Sequence, residues 1–69
     1  MSENFKFEFT DDEYELLCKK AMLNEELATI FYMKIHGCSI VEISLKLKYS
    51  ERTINRRIKK LKSKIKRAL

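Results

Sequence analysis

The sequence predicts an all-α fold: a small four-helix domain around a helix-turn-helix core, with strand-like alternation only in its first residues. Three observations lead there. Residues that cap helices stand before four separate segments, at Thr10, Asn24, Ser39 and Ser50. Within those segments apolar residues recur three and four apart, the spacing of one helix face. The chain also holds one glycine and no proline, so few positions interrupt a helix. Its 69 residues make one domain, near the lower limit at which a core offsets chain entropy, and 45% hydrophobic content argues against disorder.

At the start, Phe5, Phe7 and Phe9 alternate with Lys6 and Glu8, which is strand periodicity. A lone strand is not stable in water, so the segment has to dock. Either its rings fold back onto the helical core, or it pairs with its copy in a second chain. Thr10 with Glu13 forms a capping box, with Phe9 as a staple, and opens a helix from about Asp11 to Met22. Its apolar face is Tyr14, Leu17, Cys18 and Ala21. Residues 1–22 thus form an N-terminal extension with an extra helix, and residues 23–69 form the core.

Asn24 caps the next helix, and Glu25 and Glu26 complement its dipole. Leu27, Ile30, Phe31 and Ile35 point inward, and Gly37 is expected to close the helix in the left-handed conformation. A second capping box, Ser39 with Glu42, opens a short helix over Ile40 to Leu47, with Ile43 and Leu47 inward. Ser50 caps the last helix. There Ile54, Ile58, Leu61 and Ile65 form one narrow stripe, while Arg52, Arg56, Arg57, Lys59, Lys60, Lys62, Lys64, Lys66 and Arg67 fill the positions between, against the single acid Glu51. A helix held in a core along one side and densely positive on the other suits a polyanion.

The charge is one-ended. Up to Glu26, eight acids face three lysines, net −5; beyond it, twelve Lys and Arg face two acids, net +10. Such a field steers a partner to one face. No apolar run reaches the ~20 residues of a membrane span, and no signal peptide opens the chain, so a cytoplasmic location is expected. Cys18 and Cys38 lack C-x-x-C spacing, and with His36 they fall one ligand short of a zinc site; two reduced thiols, buried or half-buried, are expected, with no cofactor. No phosphate loop and no nucleophile with a base is present. The acids at Asp11, Asp12, Glu13 and Glu15 suit a helix N-terminus, so no enzyme is expected.

Two helices joined by a tight connection, the second basic and amphipathic, describe a helix-turn-helix. Ser39 to Lys48 would be the support helix, with small Ser44 where the two cross. Tyr49 would be the buried turn residue, and residues from about 51 to 67 the recognition helix.

At this point the residues resemble a known family. Gly37 to Ser44, then Leu47, then Ser50-Glu51-Arg52-Thr53-Ile54, then Ile58, Leu61 and Ile65 resemble the LuxR/GerE-type DNA-binding domain. That family's pattern is a glycine, a capped Glu-Ile-Ala support helix, a Leu, then Ser-x-x-Thr-Val. Leu23-Asn24-Glu25-Glu26 resembles the family's start of the preceding helix. Region four of bacterial sigma factors is similar in architecture. The resemblance implies that Asn55, Arg56 and Lys59 approach base edges in the major groove of double-stranded DNA, with Thr53 and Lys60 on phosphates. Helical geometry agrees in part, since Arg52, Arg56, Lys59 and Ser63 lie opposite the apolar stripe with Asn55 beside them. Arg can chelate guanine and Asn adenine. Lys48, Ser50, Arg52, Arg57, Lys62, Lys64 and Arg67 are expected to add phosphate contacts that do not read sequence.

Two departures stand out. Ala28 sits where the family tends to have a larger aliphatic residue, and the family's C-terminal dimer helix has no counterpart up to Leu69. Its mode of dimerisation is therefore not carried over. Val41 and Leu45, one turn apart and roughly opposite Ile43 and Leu47, are either covered by the first helix or form a subunit surface with Met22, Phe5, Phe7 and Phe9. The resulting expectation is a dimeric, sequence-specific transcriptional regulator. The alternative is a protein-binding adaptor or inhibitor, such as a partner of RNA polymerase or a mobile-element protein, and structured RNA is a third partner class.

Overall fold

Four α-helices form along residues 6–69, the part described by the computed structural model: α1 (Asp11–Lys20), α2 (Glu25–Ile35), α3 (Ile40–Leu47) and α4 (Glu51–Ala68). Each begins where a capping side chain stands. The Thr10 hydroxyl accepts from the Glu13 N–H at 3.2 Å, while the Glu13 carboxylate accepts from the Thr10 N–H at 2.8 Å. Ser39 and Glu42 repeat this reciprocal pair at 3.2 and 2.8 Å. Asn24 accepts from the Leu27 N–H at 2.8 Å and Ser50 from the Thr53 N–H at 3.2 Å. Four of the orphan donors at helix N-termini are thereby satisfied locally.

Three helices end in the same way, by a residue with positive φ. Gly37 (φ 81°) closes α2, with the Cys38 N–H donating back to the Met33 carbonyl at 3.0 Å. Lys48 (φ 60°) closes α3, with the Tyr49 N–H reaching the Ser44 carbonyl at 3.1 Å. Met22 (φ 52°) follows α1, with the Leu23 N–H reaching the Cys18 carbonyl at 3.1 Å. So α1 stops at Lys20, two residues short of the expected Met22, because Met22 is itself in the left-handed closing turn. A glycine marks one such turn in the sequence; Met and Lys conceal the other two.

Helix α4 packs on α1, α2 and α3 alike. Its stripe of Ile54, Ile58, Leu61 and Ile65 is buried together with Leu17, Leu27, Ile30, Phe31 and Ile43. Phe31 is fully enclosed and collects the other rings: Phe7 at 6.0 Å between centroids, Phe9 at 5.6 Å and Tyr14 at 5.2 Å. The Phe7 and Phe9 rings therefore fold back onto the core, and no strand forms among the described residues; Phe5 lies outside them. The Tyr14 hydroxyl donates to the Ala28 carbonyl at 3.0 Å. Burial, reinforced by contact with Cys18, pushes this phenol up to about 12. Ser44 is buried and donates its hydroxyl to the Val41 carbonyl at 2.8 Å, so the small residue in the support helix costs no unsatisfied polar atom.

One expectation and one of two alternatives fail here. Tyr49 is not buried but 40% exposed, because its ring leans outward toward α2 rather than into the core. Val41 and Leu45 are not covered by α1: they stay 48% and 73% exposed, since α1 spends its apolar face on α2 and α4.

Replacing the left-handed Met22 by Gly removes backbone strain of roughly 1 kcal/mol while forfeiting almost no burial, as the side chain is 83% exposed. Thermal melting followed by circular dichroism should show Met22→Gly with a midpoint several degrees higher. By contrast, Phe31→Ala should cost about 3–5 kcal/mol. That is most of what a chain this short has available at ~0.05–0.15 kcal/mol per residue, so its cooperative transition should vanish.

Candidate nucleic-acid interface

Helices α3 and α4 meet through a very short connection. Lys48 turns the chain by its left-handed backbone, Tyr49 follows, and Ser50 already caps α4. The Ser50 hydroxyl also donates to the Thr53 hydroxyl at 3.0 Å, so both side chains are held at the helix start. Accepting in this contact leaves the Thr53 hydroxyl with its own hydrogen to donate. The first turn of α4 therefore offers N–H groups and a hydroxyl at the positive end of the helix dipole.

Beyond that turn the faces of α4 separate cleanly. With the apolar stripe buried, Arg52, Asn55, Arg56, Lys59, Lys60, Ser63 and Arg67 are exposed, and Lys64 and Thr53 are half-buried. Arg52, Arg56 and Lys59 make no ion pair among the described residues. Asn55 and Lys59 lie on one flank with Lys62 and Lys66, lining a shallow groove beside Ile58. Lys48 is exposed at the turn, and Lys64 and Arg67 face the end of α1 across a second groove with Lys20. The structure thus brings the expected base-reading residues Asn55, Arg56 and Lys59 onto one open surface.

Arg57 departs from the expected set. Its position on α4 faces the start of α2, where its Nε stands 2.6 Å from the Glu26 carboxylate. That N–H is not aligned as a hydrogen bond, so the contact is one of charge. The other Glu26 oxygen accepts from the Tyr49 hydroxyl at 2.6 Å, and the Arg57 guanidinium lies 5.8 Å from the centre of the Tyr49 ring. Glu26, Tyr49 and Arg57 therefore form one cluster that ties α2, the turn and α4 together. Sequence reasoning missed Glu26, which reads simply as an acid suited to the first turn of α2. Nothing local signals a partner 23 residues away.

Within this cluster Glu26 and Tyr49 shift each other in opposite directions. The Tyr49 hydrogen bond is the main cause that holds the Glu26 carboxyl below its usual range; desolvation opposes it, and the charge of Arg57 adds a lesser lowering. In turn the bond to Glu26 raises the Tyr49 phenol. A carboxyl lowered in the folded state stabilises it above the ordinary glutamate range, and the contribution disappears as pH falls through the lowered value. A raised phenol works from the other side: its contribution holds below the ordinary tyrosine range and is lost as pH rises through the raised value.

Among the described residues no three His, Cys, Asp or Glu side chains come together as metal ligands. Cys18 and Cys38 are free thiols, and His36 stacks on Tyr32 at 4.3 Å. No helix is long and apolar enough to cross a membrane. Compared with known proteins, the chain matches no family model, no curated protein and no solved structure.

Tyr49→Phe removes the hydrogen bond but leaves the charges. The Glu26 carboxyl should then titrate at higher pH, and its acid-side loss of stability should be smaller and complete at higher pH. Carbon-detected NMR of the glutamate carboxyls across the acid range reads this directly; an unchanged Glu26 titration would refute the hydrogen bond as the main cause.

Proposed function

We propose that this protein binds double-stranded DNA sequence-specifically as a transcriptional regulator, laying the outer face of α4 in the major groove. The observation that supports the reading most is the exposed cationic surface of α4 at Arg52, Arg56 and Lys59, set one tight turn after a capped support helix. Asn55, Arg56 and Lys59 read base edges, since amide and guanidinium groups on one open helix surface match the donor and acceptor patterns of adenine and guanine. Lys48, Ser50, Arg52, Thr53, Lys60, Lys64 and Arg67 hold phosphates, and Arg57 leaves that set because Glu26 engages it. The resemblance to LuxR/GerE-type domains supports the same orientation.

A single helix contacts only a few base pairs, so the protein acts as a homodimer on two half-sites one helical turn apart. Phe7 and Phe9 are engaged on Phe31, which leaves exposed Val41 and Leu45 on α3 as the subunit surface. The same exposed pair is what favours a second reading, an adaptor that binds a protein such as RNA polymerase. Capture of a partner that survives nuclease treatment would favour the adaptor, and loss of every partner would count against it.

Selection of bound sequences from a random DNA pool, with the mass of the complex measured, tests the main reading. A two-fold symmetric site and a complex of two chains are expected; absence of any enriched sequence would overturn it. Once a site is known, Arg56→Ala or Lys59→Ala should cost ~1–3 kcal/mol at that site and relax preference at one base position. Lys64→Ala should instead weaken all duplexes equally and flatten the log affinity against log salt slope by about 0.9.

A further inference from the structure

The geometry points to Glu26 as a residue that sets specificity without touching a base: by holding Arg57 and the Tyr49 hydroxyl, it keeps one cation of α4 off the phosphate backbone and so limits sequence-blind binding. This rests on the DNA-binding function proposed above.

Every phosphate neutralised by the protein raises affinity for all duplexes alike. Specificity is the ratio of the selected site to that background. Helix α4 already exposes Arg52, Arg56, Lys60 and Arg67, so one further phosphate contact adds background rather than discrimination. Arg57 would be that contact. It lies on the flank next to Lys60, half-exposed at 42%, within reach of a phosphate but for Glu26. The Glu26 carboxylate stays 28% exposed in the same cleft, beside Lys60, so it also repels a phosphate that approaches there. Tyr49 fixes the carboxylate in place through its 2.6 Å hydrogen bond. A purely structural pin between α2 and the turn would require the same contacts, but it would leave the number of phosphates neutralised unchanged.

Counting those phosphates separates the two roles. Binding to a random-sequence duplex is measured over a salt series for the unmodified protein, Glu26→Gln, Arg57→Gln and the double variant, with thermal melting of each as the folding control. In Glu26→Gln, freed Arg57 should steepen the slope of log affinity against log salt by about 0.9, and the ratio of selected to random-sequence affinity should fall. Arg57→Gln alone should leave the slope where it is, and adding it to Glu26→Gln should cancel the increase. If Glu26→Gln does not fold, the Arg57→Gln slope still decides. A slope flattened by about 0.9 in Arg57→Gln alone shows that Arg57 reaches a phosphate with Glu26 in place, which overturns the inference. So does a folded Glu26→Gln whose slope is unchanged. An unmodified protein that binds no duplex overturns the functional reading and this one together, whereas the two slope outcomes overturn this one alone.

Discussion

Everything in this domain depends on the burial of one stripe of α4. Ile54, Leu61 and Ile65 are fully enclosed and Ile58 nearly so, in a molecule whose other three helices all pack against them. Each such side chain contributes about 1.5–3 kcal/mol when removed from water. That gain has to offset an unfavourable surface. Arg56, Lys60 and Lys64 stand four residues apart in sequence, and like charges at that spacing destabilise a helix by a few tenths of a kcal/mol per pair. The apolar seam thus holds in place a helix whose outer face repels itself.

The seam orients the helices only because their ends are firmly determined. Four capping side chains start them and three left-handed residues stop them, which leaves connections too short to vary. At the α3–α4 corner the whole link is Lys48, Tyr49 and Ser50. With so little slack, the crossing of α3 and α4 follows from where Ser44 lets the two backbones approach.

The Glu26–Tyr49–Arg57 cluster adds a polar counterpart on the opposite side of that corner. Exposed ion pairs contribute little on their own, ~0–1 kcal/mol. Here the carboxylate holds one hydrogen-bond donor and one cation from two other parts of the chain, so its value lies in position. It subtracts one positive charge from a face that otherwise carries cations along its entire length, and it does so next to the turn that aims the helix.

Most of the fold was legible in the sequence. The four N-caps, the inward faces of all four helices, the left-handed Gly37 and the buried Ser44 depend on residues within a turn of one another, and helix period and capping are local by nature. The outward placement of Asn55, Arg56 and Lys59 was legible for the same reason, because burying the isoleucine stripe leaves them only the other side. Tertiary structure decided what distance in sequence hides: that Phe7 and Phe9 close over Phe31, that Tyr49 turns out to meet Glu26, that Arg57 pairs with Glu26, and that Val41 and Leu45 are left uncovered. Each of these depends on which surfaces the packed helices bring together, and no local pattern of residues encodes that.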